Sequence, residues 1–476
     1  MNQMGPTKAI KLYEFSRDPV HRSPIRLVTC RTVRETGKVK IQRDSFTGLK
    51  TINQYEIMGE LGRGRHSKVK LARNTETGEK VAIKIVPRRS EKHQVVHPTE
   101  GVLKEGKILR QIHHDNVITL HEIIDDAEHA KEYLILEYAE IGAIPWRKKG
   151  LPHVCHHERM RIEDEMRNEA AGCRKAPEDM ECISSPGRKQ SFVCPPSSLP
   201  DHMNFPRYEP YDGTLAHDVL TEHYSYVPCI TFDQTRRILK DTVLGLEALH
   251  ERGVVHRDIK PENLLLSKEY HVKIADFDVS FVSRPLREAK AKVGLDTFDD
   301  TLEMLKTVGT PGFMAPELCC IGQEMVYPEL FEQVDVWSLG VTLYCLIFGR
   351  LPFLAEGEFQ MFHKMSVEDV HIPRRRLRPV PPSKSRSVST TYKYRNDDVI
   401  EFEDVDDMLI DLLRHMLFRS PAQRIRLQSI KHHPWLLGMS NTSGSIMANG
   451  SVLQQSGGLK ENSMEGEASI GFPAFW

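Results

Sequence analysis

Residues 256–263 read His256-Arg257-Asp258-Ile259-Lys260-Pro261-Glu262-Asn263, and a short hairpin later comes Asp276-Phe277-Asp278. Moving a phosphoryl group asks a protein for little covalent work. It needs an in-line hydroxyl, a base or orienter for that hydroxyl's proton, and cations on the phosphate charge as it spreads. Asp258 suits the base, Lys260 can neutralise the transferred group, and Asn263 and Asp276 offer hard oxygen ligands for Mg²⁺. Upstream, Leu61-Gly62-Arg63-Gly64-Arg65-His66-Ser67-Lys68-Val69 lies between two strand-like runs, where missing side chains let backbone N–H groups approach phosphates. Alone, it could equally be the turn of an ordinary hairpin. Fifteen residues after Val69, however, Val81-Ala82-Ile83-Lys84 puts a lysine at the end of a β-branched run, and Glu105 begins a helical stretch that can carry its partner. Ala315-Pro316-Glu317 completes an order of elements that chance would not assemble.

Those residues need elements to hold them. Tyr55 to Glu137 alternates short β-branched runs with turn signals such as Thr77-Gly78, which predicts a small sheet with one helix. From Asp233 to Gly253 the apolar Ile238, Val243, Leu246 and Leu249 recur at helical spacing, and Gly253 sits where a helix would stop. Segments near 335–350 and 405–418 also read as helices. Residues 147–228 mix charge with Pro, Met and Cys, as in Ser184-Ser185-Pro186-Gly187, and show no sustained period, so they read as a long insertion. Residues 371–398 carry Arg374-Arg375-Arg376 and Pro381-Pro382 and read as a second, solvated loop. An N-terminal extension (1–54) is polar and irregular, and a Ser/Gly/Asn-rich tail (437–476) is expected to be disordered.

Composition excludes several classes. Of 476 residues 39 % are hydrophobic, which rules out a wholly disordered chain. Lys plus Arg (65) against Asp plus Glu (66) leaves a net charge of -1, so no nucleic acid and no membrane is expected as a partner. The nine cysteines follow no regular framework and read as reduced thiols. The first residues, Met1 to Lys8, lack the apolar run of a leader, and the longest apolar run is well short of the roughly 20 residues of a spanning helix. A cytoplasmic location is expected, with the nucleus also open to the protein. His153, Cys155, His156 and His157, with Cys173, Cys182 and Cys194, match the spacing of no ordinary zinc module.

From Tyr55 to Trp435 the motif order resembles the eukaryotic protein kinase family. The resemblance implies an α+β, bilobal fold over 55–436: a small antiparallel sheet plus one helix (55–137) and a larger, mainly helical lobe (138–436), with ATP and Mg²⁺ between them. It implies Leu61, Gly62, Gly64, Val69, Ala82 and Leu265 around the nucleotide, and Lys84 paired with Glu105. Glu137 and Ala139 would bind adenine through backbone groups, with Leu136 as gatekeeper. Asp258 and Lys260 take the catalytic roles, and Asn263 and Asp276 the metal. Leu109, Leu120, His256 and Phe277 form a stacked spine, Arg424 pairs with Glu317, and Asp335 braces the catalytic loop. Lys260 and the segment Gly309 to Glu317 are similar to serine/threonine kinases. Val308 to Met314 and Asp335 to Cys345 look like the calcium/calmodulin-dependent kinase kinases, and Val33-Arg34-Glu35-Thr36 resembles their fungal members. The implied substrates are other kinases, including AMP-activated-type kinases.

Some positions depart from that pattern. Ser67 stands at the third loop glycine, and Asp278 stands where the family has glycine after Phe277. A carboxylate there either attracts Mg²⁺ or misplaces it, and it restricts the backbone swing of the loop, so a weakly active scaffold or pseudokinase is the alternative to an active enzyme. Lys306 occupies the place where many kinases carry a phosphothreonine that pairs with the residue here numbered Arg257; activity is therefore expected without phosphorylation there, Thr297, Thr301 and Thr307 being nearby substitutes. The tail has one basic residue, Lys460, against Glu461, Glu465 and Glu467, so calmodulin is not supported as a partner.

Overall fold

The computed structural model describes residues 33–43, 48–64, 67–87, 99–172, 224–282, 304, 308–319, 330–382 and 394–438. The expected α+β arrangement in two lobes is present. The first lobe is one sheet built from β1 (Arg34–Thr36), β2 (Ile41–Arg43), β3 (Lys50–Ile52), β4 (Tyr55–Arg63), β5 (Lys68–Asn74), β6 (Lys80–Pro87), β7 (Leu120–Ile124) and β8 (Lys131–Glu137), with helix α1 (Thr99–Gln111) between β6 and β7. Its order is β1-β7-β8-β6-β5-β4-β3-β2. Period-two alternation divides its apolar residues. Val81 and Ile83 join Tyr55, Ala72 and Ile135 on one face, while Ala82 joins Val69 and Leu136 on the face that continues into the main core. Lys84, next in that alternation after Ala82, is thereby placed on the side of the main core.

Residues 34–52 are not the irregular lead-in expected of the extension. β1 runs parallel to β7, pairing Arg34 with Glu122 and Thr36 with Ile124, and β2 and β3 extend the sheet beyond β4. Glu122 explains the attachment: it is 1 % exposed and accepts hydrogen bonds from Tyr55 Oη at 2.7 Å, Gln54 Nε2 at 3.0 Å and Thr36 Oγ1. Glu35 pairs with Arg110 of α1 at 2.8 Å. Three-residue strands carry too little alternation to be recognised from their own sequence.

The second lobe follows β9 (Gly142–Ala143), β10 (Arg147–Lys149), α2 (Pro152–Gly172) and β11 (Tyr226–Pro228). It contains α3 (Phe232–His250), β12 (Val254–Val255), β13 (Leu264–Leu266), β14 (Val272–Ile274), β15 (Phe281–Val282), α4 (Pro316–Cys319), α5 (Gln333–Phe348) and α6 (Glu358–Val367). β16 (Arg375–Leu377), β17 (Phe402–Asp404), α7 (Asp407–Met416), α8 (Leu427–Lys431) and α9 (Pro434–Leu437) complete it. A capping box starts α3: Thr231 Oγ1 accepts from Gln234 N–H while the Gln234 side chain accepts from Thr231 N–H. α5 is buried along its whole length and ends at Gly349 with φ 70°, where a Cβ would lie 2.7 Å from the Pro228 nitrogen. Only glycine satisfies both conditions.

Two stretches read as loops contain structure. α2 opens the expected insertion, and pairs such as Arg159–Glu163 (2.7 Å) and Arg161–Glu165 (2.9 Å) support it in place of a strong apolar stripe. It docks through Glu158, buried against Arg350 at 3.1 Å. In the Arg374–Arg376 run, Arg376 is 1 % exposed, paired with Glu403 at 2.7 Å and bonded to the carbonyls of Ile230 and Ile347, so the run is not simply solvated. The remainder of both stretches, 173–223 and 383–393, and the tail beyond Gly438 lie outside the described residues. Among the described residues no helix is long and apolar enough to cross a membrane.

Replacing Glu122 by alanine leaves the Tyr55 hydroxyl buried without its acceptor, at an expected cost of about 2–4 kcal/mol. Denaturant unfolding measures the loss, and faster amide exchange over residues 33–43 locates it.

Candidate active site

Between the lobes the structure gathers residues from five separate stretches. Lys84 of β6 is 5 % exposed and its Nζ lies 2.8 Å from Glu105 Oε2 of α1, 2.8 Å from Asp276 Oδ1 and 2.7 Å from Asp278 Oδ1. Burial works against its charge, but the three carboxylates hold the Lys84 pKa well above its ordinary value. The Glu105 pKa is also raised, up to about 7, because burial and the neighbouring Asp278 and Asp276 outweigh the pull of Lys84. Asp276 stays below the ordinary aspartate value although its surroundings partly desolvate it, since Lys84 both faces and hydrogen-bonds it. Glu105 Oε1 also accepts from Phe277 N–H at 3.3 Å, so one carboxylate joins α1, β6 and the 276–278 segment.

The 256–263 segment forms a second cluster. Asp258 Oδ1 accepts from Thr310 Oγ1 at 2.8 Å, and Oδ2 accepts from Lys260 Nζ at 2.7 Å and Asn263 Nδ2 at 2.9 Å. Lys260 Nζ also donates to Thr310 Oγ1 at 2.6 Å. Gly309, φ 110°, allows this closeness, because a Cβ there would lie 2.7 Å from the Arg257 carbonyl. Asn263 turns its amide nitrogen onto Asp258, leaving its carbonyl oxygen as the end able to face a cation. Together with the Asp276 carboxylate this makes a hard-oxygen pair whose chemistry fits a divalent metal.

Two residues of this region hold left-handed backbone, Arg257 at φ 65° and Asp276 at φ 66°. Such conformations persist only where the surroundings over-determine them. Asp335 supplies that constraint for the first: fully buried at the start of α5, it accepts from His256 N–H (2.8 Å), Arg257 N–H (2.8 Å) and His250 Nε2 (2.8 Å). These donors overcome the burial penalty and hold the Asp335 pKa below the ordinary aspartate value. The Arg257 guanidinium donates to the carbonyls of Val279 (2.7 Å) and Met304 (3.4 Å). Lys306, Thr297, Thr301 and Thr307 lie outside the described residues.

The remaining expected residues take these places. Leu61, Val69, Ala82 and Leu265 are buried in the main core cluster, beside Leu136 and Ala139. Gly62 lies in the last part of β4 opposite Val69, and Gly64 enters the β4–β5 turn, where its N–H donates to Ser67 O at 2.9 Å. The Glu137 side chain is engaged by Lys273 at 2.7 Å and Thr119 N–H at 3.1 Å, and its own N–H donates to the Thr119 carbonyl at 2.8 Å. The His256 and Phe277 rings meet edge to face at 4.9 Å, with Leu109 and Leu120 buried in the same core. Arg424 grips Glu317 through two bonds, 2.7 and 3.0 Å. The contact that residue order did not disclose is Asp278 on Lys84: the extra charge beside Asp276 was visible, its direction was not. His153, Cys155, His156 and His157 lie on α2, and among the described residues the one grouping of three potential metal-binding side chains is Glu105, Asp276 and Asp278. An ammonium already sits against all three.

A family model described as protein kinase domain matches residues 55–170 and 209–436, and the chain belongs to this family. Among characterised relatives, it is 34 % identical over 432 residues to "Serine/threonine-protein kinase ssp1" of Schizosaccharomyces pombe, covering 90 % of this chain and 49 % of that one. It is 31 % identical to "SNF1-activating kinase 1" of Saccharomyces cerevisiae, covering 85 % and 30 %, and 28 % identical to "Serine/threonine-protein kinase GRIK2" of Arabidopsis thaliana, covering 85 % and 70 %. The chain thus spans half or less of the two yeast relatives.

Changing Asp335 to asparagine is expected to cost about 3–5 kcal/mol, because a buried acceptor of three donors loses its charge. Its folded pKa is lowered, so its stabilising contribution is complete above the ordinary aspartate value of 3.8 and disappears as pH falls from there through the lowered value. The stability gap between wild type and Asp335→Asn should therefore be constant near neutrality and close in acid, as chemical unfolding across pH would record.

Proposed function

We propose that this protein transfers the γ-phosphoryl group of ATP, bound with Mg²⁺, to serine and threonine hydroxyls of protein substrates, and that those substrates are other kinases phosphorylated on their activation loops. The observation that carries the reading is the Asp258–Lys260–Thr310–Asn263 cluster standing with a formed Lys84–Glu105 pair. Bound Mg²⁺·ATP supplies the phosphoryl group and part of the positive charge on its oxygens. Asn263 and Asp276 are the residues to hold the metal. Asp258 orients the attacking hydroxyl and accepts its proton; each carboxylate oxygen can take two hydrogen bonds, so Oδ1 keeps room for it beside Thr310. Lys260 places charge next to the transferred group, and Lys84 meets the other phosphates. The backbone of Glu137 and Ala139 reads the adenine.

The kinase-directed substrate choice draws on the relative named as an SNF1-activating kinase. Against a scaffold stand the pairing of Lys84 with Glu105 and the presence of every polar group the reaction uses. Arg257 already donates to the carbonyls of Val279 and Met304, which supports activity without a phosphate on the activation segment.

Purified unphosphorylated protein incubated with radiolabelled ATP and a kinase-dead AMP-activated-type kinase should label that substrate's activation-loop threonine. Asp258→Asn should lower the rate by at least about 10²-fold while leaving nucleotide affinity nearly intact. Absence of labelling until the enzyme's own loop is phosphorylated would reverse the view of Arg257. For Thr310, serine should retain most of the activity, whereas valine, losing both bonds, should lose about tenfold in kcat.

A further inference from the structure

Lys84 has three N–H donors and three carboxylate partners, Glu105, Asp276 and Asp278, at 2.8, 2.8 and 2.7 Å. Its hydrogen bonds go to Asp276 and Asp278, with Glu105 held as an ion pair, so a nucleotide phosphate competes for this ammonium with the carboxylates already bonded to it. Glu105 cannot easily yield: it is 1 % exposed and is also fixed by Phe277 N–H. Asp276 and Asp278 face outward, with 45 % and 42 % of their side chains exposed. Asp276 has work elsewhere, on the metal. Asp278 is the surplus anion of the set, since glycine at that position would free the donor that Asp278 now holds at 2.7 Å.

Building on the nucleotide-binding reading above, we infer that Asp278 is an internal competitor for Lys84, its carboxylate occupying the donor that a nucleotide phosphate must claim. This contact latches the site, and nucleotide binding exchanges one anion for another on the same ammonium. Asp278 is thus a positioning residue. It acts on the phosphates through Lys84 and leaves the adenine pocket alone.

Calorimetric titration of the full chain in EDTA tests the competition without metal. Asp278→Asn keeps size and shape at a half-exposed side chain, so it should fold, and an unchanged melting profile checks this. It should bind metal-free ATP about tenfold more tightly than wild type, while adenosine, which has no phosphate, changes less than about twofold. In a Lys84→Met background the same substitution should lose most of its effect.

An ATP affinity indifferent to Asp278→Asn overturns the inference, as does an equal gain for adenosine. So does a full gain without Lys84, which would mean plain charge repulsion. A loss of affinity on Asp278→Asn that needs added Mg²⁺, with metal-free binding unmoved, would make Asp278 a metal ligand and refute the competition. Failure of every variant and of wild type to bind either ATP or adenosine would instead defeat the nucleotide-site reading itself.

Discussion

The active site hangs on a polar stripe along α5. That helix is buried throughout, yet it carries Asp335, Ser338 and Thr342 at spacings of three and four, which put them on one face. Asp335 takes the backbone N–H groups of His256 and Arg257, Ser338 donates to the Phe313 carbonyl at 2.8 Å, and Thr342 donates to the Ile259 carbonyl at 3.2 Å. A helix that cannot move because apolar residues surround it thereby fixes both the segment bearing Asp258 and the segment following Thr310. The strained backbone of Arg257 is held by this attachment, and the spacing between Asp258, Lys260 and Thr310 follows from it.

The upper half of the site is built on a different principle. There a single cation organises its surroundings: Lys84 collects carboxylates from α1 and from the 276–278 segment, and Glu105 passes the connection on to the Phe277 backbone. Charge-assisted hydrogen bonds to the Asp335 and Asp258 carboxylates, together with steric fit, set the lower cluster with its charges matched, whereas an excess of negative charge around one ammonium sets the upper one. The lower cluster is accordingly rigid, and the upper one depends on what else arrives to share the charge.

Most of the site could be read from residue order because each part is local. Asp258, Lys260 and Asn263 lie within one turn and a short 3₁₀ helix, and Lys84 ends a strand whose alternation is plain. What could not be read depends on distant partners. Arg376 belongs to a run that looks solvated until Glu403, 27 residues on, closes over it, and Glu158 of α2 needs Arg350, 192 residues away. α2 escaped notice because charge pairs support it in place of an apolar stripe. Ser338 and Thr342 offered a signal, two hydroxyls at helical spacing from Asp335 in a run otherwise apolar. Asp278 announces itself as a departure, but its partner Lys84, 194 residues away in the chain, is fixed only by the fold.

The short strands of residues 34–52 bear on where this domain can be cut. The family match begins at Tyr55, yet β3 covers the outer edge of β4 and β1 covers that of β7. A fragment started at the family boundary would bare both margins of the sheet at once, leaving unpaired backbone groups that invite edge-to-edge association. It would also strip Glu122 of its Thr36 and Gln54 donors. Solubility of excised versions should therefore be governed by the strands at Arg34–Thr36, Ile41–Arg43 and Lys50–Ile52, which the family match does not include.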